Sequence, residues 1–85
     1  MPDLQSQFEQ AVLAATRLPS RPCNDTLLEL YALFKQGSEG NVHGDQPGFF
    51  DFVGTAKFEA WGKLKGMSRD EAMTRYVALV ASLDT

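Results

Sequence analysis

At 85 residues the chain is long enough for one domain and too short to wall off a large enzyme cleft. Hydrophobic residues make up 44% and charged residues 22%, the balance of an ordinary soluble globular protein rather than a disordered one. Lys and Arg number 8 against 11 Asp and Glu, and the net charge of −3 is the wrong sign for a typical nucleic-acid binder, although a local cluster of Lys can still hold an anion.

The first predicted helix spans about 4–15. Leu4, Phe8, Ala11, Val12 and Ala15 recur at three- and four-residue spacing, and Asp3 is placed to cap the free N–H groups of the first turn. Pro19 and Pro22, three residues apart, stop it. The second helix, about 24–36, starts at a cap formed by Asn24 or Asp25. It carries Leu27, Leu28, Leu30, Tyr31, Leu33 and Phe34, apolar around much of its circumference. Such a helix packs on more than one neighbour or covers an apolar ligand. Gly37 and Gly40 are read as its end.

From Gly37 to Asp51 runs a Gly-containing connection, long for a compact domain. It is expected to cross the bundle, with Phe49 and Phe50 pinning it to the core, so that the helices it joins run parallel. The third helix, about 52–64, has Phe52, Ala56, Ala60, Trp61 and Leu64 on its expected inner face. The fourth, about 68–83, opens with a capping box in which Ser68 caps and Glu71 reaches back, and it buries Ala72, Met73, Tyr76, Val77, Val80 and Leu83. No stretch alternates as a strand does. The fold class is all-α, four helices around one core in a single domain, 1–85.

Cys23 is the only cysteine, so no intrachain disulfide can form and a reducing compartment is the natural setting. No apolar run approaches the ~20 residues of a membrane span, and the N-terminus lacks the shape of a signal peptide. A cytoplasmic, monomeric protein without stable membrane insertion is expected. Catalytic machinery is not evident: His43, the only histidine, sits in the Gly-containing loop, and the carboxylates of Glu29, Glu59 and Glu71 read as solvated faces or caps. Metal-ligand spacings and the phosphate-binding glycine loop are missing, so neither an enzyme, a metal nor a resident cofactor is expected. What remains is aromatic and basic. Tyr31, Phe34 and Lys35 share one helical face, Lys57 lies between Ala56 and Phe58, and Tyr76 falls in an apolar stripe. By spacing alone these read more simply as core aromatics with polar tips than as a ligand's first contacts.

Taken in order, five blocks resemble the acyl-CoA-binding protein (diazepam-binding inhibitor) family. They are the Phe8 helix with the Leu18–Pro22 turn, Leu28–Gln36, Pro47–Phe52, Ala56–Trp61, and Lys65–Ser68 with Ala72, Met73 and Tyr76. The resemblance covers almost the whole chain. It implies a four-helix bundle in up-down-down-up order and an intracellular carrier of medium- to long-chain fatty acyl-CoA. It further implies that Tyr31, Lys35, Lys57 and Tyr76 hold the phosphorylated CoA head, that Phe34 stacks on the adenine, and that Phe8, Val12, Leu27 and Leu28 line the acyl groove. Phe34 stands where the family commonly has a second Tyr and Phe58 where Trp is common. Thr16 and Val53 stand where Lys is frequent. Weaker head-group affinity is therefore expected, although Arg17 can replace one of the missing charges. Two other readings have different classes: a degenerate family member that docks a protein partner through its Leu-rich second helix, or an accessory domain of an acyl-CoA enzyme. A start at Met1 and an end just past the last helix fit a free-standing protein.

Overall fold

The computed structural model describes residues 3–84; Met1, Pro2 and Thr85, which the single-domain expectation includes, lie outside the described residues. Four helices follow in order: α1 Leu4–Ala15, α2 Asn24–Glu39, α3 Phe52–Gly62 and α4 Arg69–Leu83. Three begin at side-chain caps. Asp3 accepts from the Ser6 amide, Asp51 from Gly54 and Ser68 from Glu71, each satisfying one orphan N–H of a first turn.

Two capping expectations fail. Glu71 does not reach back to Ser68; its carboxylate lies 3.1 Å from the Arg75 guanidinium one turn on. Nor do Asn24 and Asp25 cap α2, because both are already inside the helix. The N-cap position belongs to Cys23, which makes no side-chain cap hydrogen bond. The exposed Cys23 thiol lies 3.2 Å from the Thr26 hydroxyl instead.

Helix α2 runs three residues past the expected end, through Gly37 to Glu39. Gly37 is no stop signal. It is buried, and a Cβ there would lie 3.1 Å from Met73 Cγ and 3.3 Å from Phe8 Cζ, so the missing side chain lets α1 and α4 close on α2. The stop falls at Gly40, whose φ of 81° suits glycine far better than other residues. Helix α3 ends at Gly62, short of the expected Leu64, and a turn through Lys63–Gly66 leads to α4.

Cross-contacts give the direction of each helix. Trp61, at the end of α3, donates its indole N–H to Gly40 O just past the end of α2 (2.8 Å), so α2 and α3 run parallel. Arg69, at the start of α4, donates to Gly37 O and Ser38 O at the end of α2, so α4 runs antiparallel to α2. The result is the up-down-down-up order. The bundle is flat, 43 × 28 × 15 Å, because α4 sits between α1 and α2 while α3 packs on the far side of α2.

The core is centred on α4. Phe8, Ala11, Leu30, Leu33, Ala72, Met73, Tyr76 and Val80 are buried together. Gln36 is wholly buried and donates to Met67 O (2.7 Å) and Asn41 Oδ1 (3.0 Å); Asn41 Oδ1 also accepts from Gly66 N. One amide thus ties the end of α2 to the α3–α4 turn. Phe49 and Phe50 do not pin the loop, being 85% and 82% exposed, and Phe52 at 73% does not face the core. The start of α3 overhangs α2 with no third helix beneath it, so nothing is there to bury them.

Candidate functional site

The parallel packing of α2 and α3 leaves a groove of about 640 Å³ along one side of the pair. Leu27, Leu28 and Ala56 form its floor, and Phe52 and Val53 form one wall. Its polar rim consists of Arg21, Asn24, Tyr31 and Lys57. Ala56 is small enough to leave the space open, and one helical turn separates Val53 from Ala56 and Lys57. Lys57 Nζ lies 5.3 Å from the Tyr31 ring centroid, a cation–π contact that steers the ammonium toward the groove. No carboxylate lines this groove, although the chain is acidic overall.

The opposite side of the same helix pair makes the contrast. A smaller cavity of about 400 Å³ there is bordered by Asp25, Glu29 and Glu59 as well as Lys63 and Arg75. Both cavities share Leu28 and Ala56, but their charged linings differ. Only the Tyr31–Lys57 side offers an anion two cations without a competing acid.

Lys35 lies one turn beyond Tyr31 and is engaged by its own helix. Its ammonium pairs with the Glu39 carboxylate and stands 4.8 Å from the Trp61 ring centroid. His43 Nε2 approaches the other Glu39 oxygen at 3.2 Å, and its ring meets Trp61 edge-on at 5.2 Å. The hydrogen bond from Lys35, more than the His43 contact, holds the Glu39 carboxyl below the usual carboxylate range.

The remaining residues singled out in the sequence form a separate aromatic group. Phe8 and Phe34 stack with centroids 5.9 Å apart, and Tyr76 meets Phe8 edge-to-face at 5.2 Å. Phe8 and Tyr76 are buried to 4% and 5% exposure, and burial raises the Tyr76 phenol pKa. Val12 and the partly buried Phe34 pack against the same cluster. The structure thus brings Tyr31, Lys57, Leu27 and Leu28 together at the groove, leaves Lys35 one turn along α2 with its ammonium on Glu39 and Trp61, and puts Phe8, Val12, Phe34 and Tyr76 in or on the core. Neither tyrosine hydroxyl has a hydrogen-bond partner among the described residues.

Sequence reasoning missed Arg21, Asn24, Phe52 and Ala56 as groove residues. The signal for α3 was available, since Phe52, Val53, Ala56 and Lys57 recur at helical spacing. Arg21 and Asn24 carried none, because they flank Pro22 and Cys23 in a turn whose path only the fold determines. Among the described residues no group of three or more His, Cys, Asp and Glu gathers in a way that would hold a metal ion.

An apolar groove with a basic rim on a flat four-helix chain has the chemistry to suit an amphiphilic anion. Residues 5–80 match the family described as Acyl CoA binding protein. The chain is 49% identical over 76 residues to acyl-CoA-binding protein homolog 1 of Caenorhabditis elegans, covering 89% of this chain and 88% of that protein. It is 45% identical over 76 residues to the acyl-CoA-binding protein of Saccharomyces cerevisiae, covering 89% and 87%. The crystal structure of Oryza sativa acyl-CoA-binding protein 2 superposes with a TM-score of 0.90 at 37% identity, over 95% of this chain and 90% of that one. The chain belongs to the acyl-CoA-binding protein family.

Proposed function

We propose that this chain binds medium- to long-chain fatty acyl-CoA esters as a monomeric, cytoplasmic carrier and performs no chemistry on them. The observation that carries the reading is the carboxylate-free groove between α2 and α3, with Tyr31 and Lys57 at its rim and Leu27 and Leu28 on its floor. The ribose 3′-phosphate of CoA carries close to two negative charges near neutral pH. Two ammonium groups and a phenol are a suitable first shell for it, each such hydrogen bond contributing about 1.5–3 kcal/mol. In this reading Tyr31, Lys35 and Lys57 take the phosphate, with Lys35 exchanging Glu39 for it. Phe34 offers a ring to the adenine, and stacking of this kind contributes about 1–3 kcal/mol per base. Tyr76 contributes its hydroxyl from α4, while Phe8 and Val12 support the site from the core. Burial of the acyl chain adds about 0.8 kcal/mol per CH₂, so even a partly buried long chain rivals the head group.

Calorimetric titration with CoA and with esters of increasing chain length tests this. Affinity is expected to rise with length and then level off at the length the groove covers. Equal affinities for CoA and palmitoyl-CoA would sink the reading.

A further inference from the structure

The turn that leads into α3 and the first turn of that helix point their large apolar side chains outward. Phe49, Phe50, Phe52 and Val53 are 85%, 82%, 73% and 67% exposed. The Phe49 and Phe50 rings stand edge-to-face 5.0 Å apart, covering little of each other. The segment is held in place: Asp51 N donates to Gly48 O at 2.9 Å, and Asp51 Oδ1 accepts from Gly54 N at 2.9 Å. Two phenylalanines on a fixed turn, followed by Phe52 and Val53 in the first turn of α3, bare four large apolar side chains within five residues, the kind of exposure that marks an interaction surface.

We propose that this patch docks reversibly on the interface of a zwitterionic phospholipid bilayer and sets the mouth of the α2–α3 groove against the membrane. The proposal rests on the acyl-CoA reading above, because it supposes that the ligand is an amphiphile that partitions between bilayer and protein. Three features favour a bilayer. The patch is continuous with the groove, since Phe52 and Val53 belong to both, and an acyl chain leaving the lipid would meet apolar surface throughout. Its area, roughly 600 Å² for three Phe rings and a Val, falls short of the ~800 Å² per partner that a standard protein interface needs. A bilayer needs no complementary shape. The flanking charges also fit: Lys57 and Arg21 on the groove rim can reach lipid phosphates, and the adjacent Asp51 carboxylate is engaged as the α3 cap. With a net charge of −3, attachment would depend on the rings rather than on anionic lipid, so salt should change it little.

The test compares the full chain with a Phe49→Ser/Phe50→Ser double variant, whose altered side chains are exposed and outside the core. Co-sedimentation with phosphatidylcholine vesicles is measured alongside the rate at which each protein removes palmitoyl-CoA from them. The unaltered chain should partition onto vesicles and extract ligand at a rate that rises with vesicle concentration. The double variant should partition at least tenfold less and extract more slowly, with its affinity for palmitoyl-CoA in vesicle-free solution within twofold. Absence of vesicle binding by the unaltered chain, or equal binding by the variant, would overturn the proposal. So would a concentration-dependent dimer, lost in the variant, without vesicle binding, which would assign the patch to a second copy. Vesicle binding without palmitoyl-CoA binding in solution would overturn the carrier reading instead and leave the docking surface standing.

Discussion

Helix α2 meets α4 and the Phe8 ring of α1 along one side and α3 along the other, and it packs against the two sides in different ways. Toward α4 it closes tightly: Gly37 admits Met73 and Phe8 to near-contact, Leu30 and Leu33 are buried, and Arg69 and Gln36 tie the ends together. Toward α3 it stays open. Trp61 is the one residue of α3 that is fully buried, and small residues such as Ala56 leave cavities on both sides of the pair. The lesson is a division of labour: α1, α4 and half of α2 form the buried core, and the α2–α3 edge is left unfilled, as the proposed ligand site requires.

Substitutions can break or sharpen that contrast. Phe8→Ala removes a buried ring from the closed side and should cost about 3–5 kcal/mol in urea unfolding, a large part of the ~5–15 kcal/mol available to a typical protein. A loss under 1 kcal/mol would mean that α1 is not part of the stabilising unit. Lys57→Ala acts on the open side. It should weaken CoA binding by about 1.5–3 kcal/mol, or roughly 10- to 100-fold, and leave the unfolding midpoint in place because the side chain is exposed. A shifted midpoint with unchanged affinity would reverse the assignment.

Ser68→Ala deletes the cap of α4 and should lower stability by about 1 kcal/mol, with ligand affinity unchanged in calorimetry. The smallest effect belongs to Glu39→Gln. Removing the carboxylate that engages Lys35 should tighten CoA binding by only about twofold, since exposed ion pairs are weak, and the gain should fade as salt is raised. Weaker binding in that variant would show that Glu39 positions Lys35 rather than competing for it.

Much of this was legible in the sequence, for identifiable reasons. The helical period of Leu4 to Ala15 and of Ala72 to Leu83 reflects a single buried face, so pattern and packing agree. The long connection after α2 correctly implied parallel α2 and α3, because crossing the bundle takes chain length. Phe49, Phe50 and Phe52 misled because a hydrophobic residue near a helix start looks the same whether or not a neighbour exists to cover it. Gly37 misled because glycine serves both to end helices and to let helices touch. Glu71 failed as a capping partner because Arg75, one turn away, offered a charged alternative.

At the site, spacing put Tyr31 and Lys35 on one helical face, but it could not join Lys57 to them. That pairing depends on α3 lying parallel to α2 in one register, with Lys57 brought over the Tyr31 ring. By itself the sequence determined the four helices, two of the three side-chain caps and the residue types that suit a phosphorylated amphiphile, because these follow from local periodicity and side-chain chemistry. Tertiary structure alone decided which aromatics are buried and which are bare, and which side of the α2–α3 pair is free of carboxylates. Burial and local charge are set by neighbours distant along the chain.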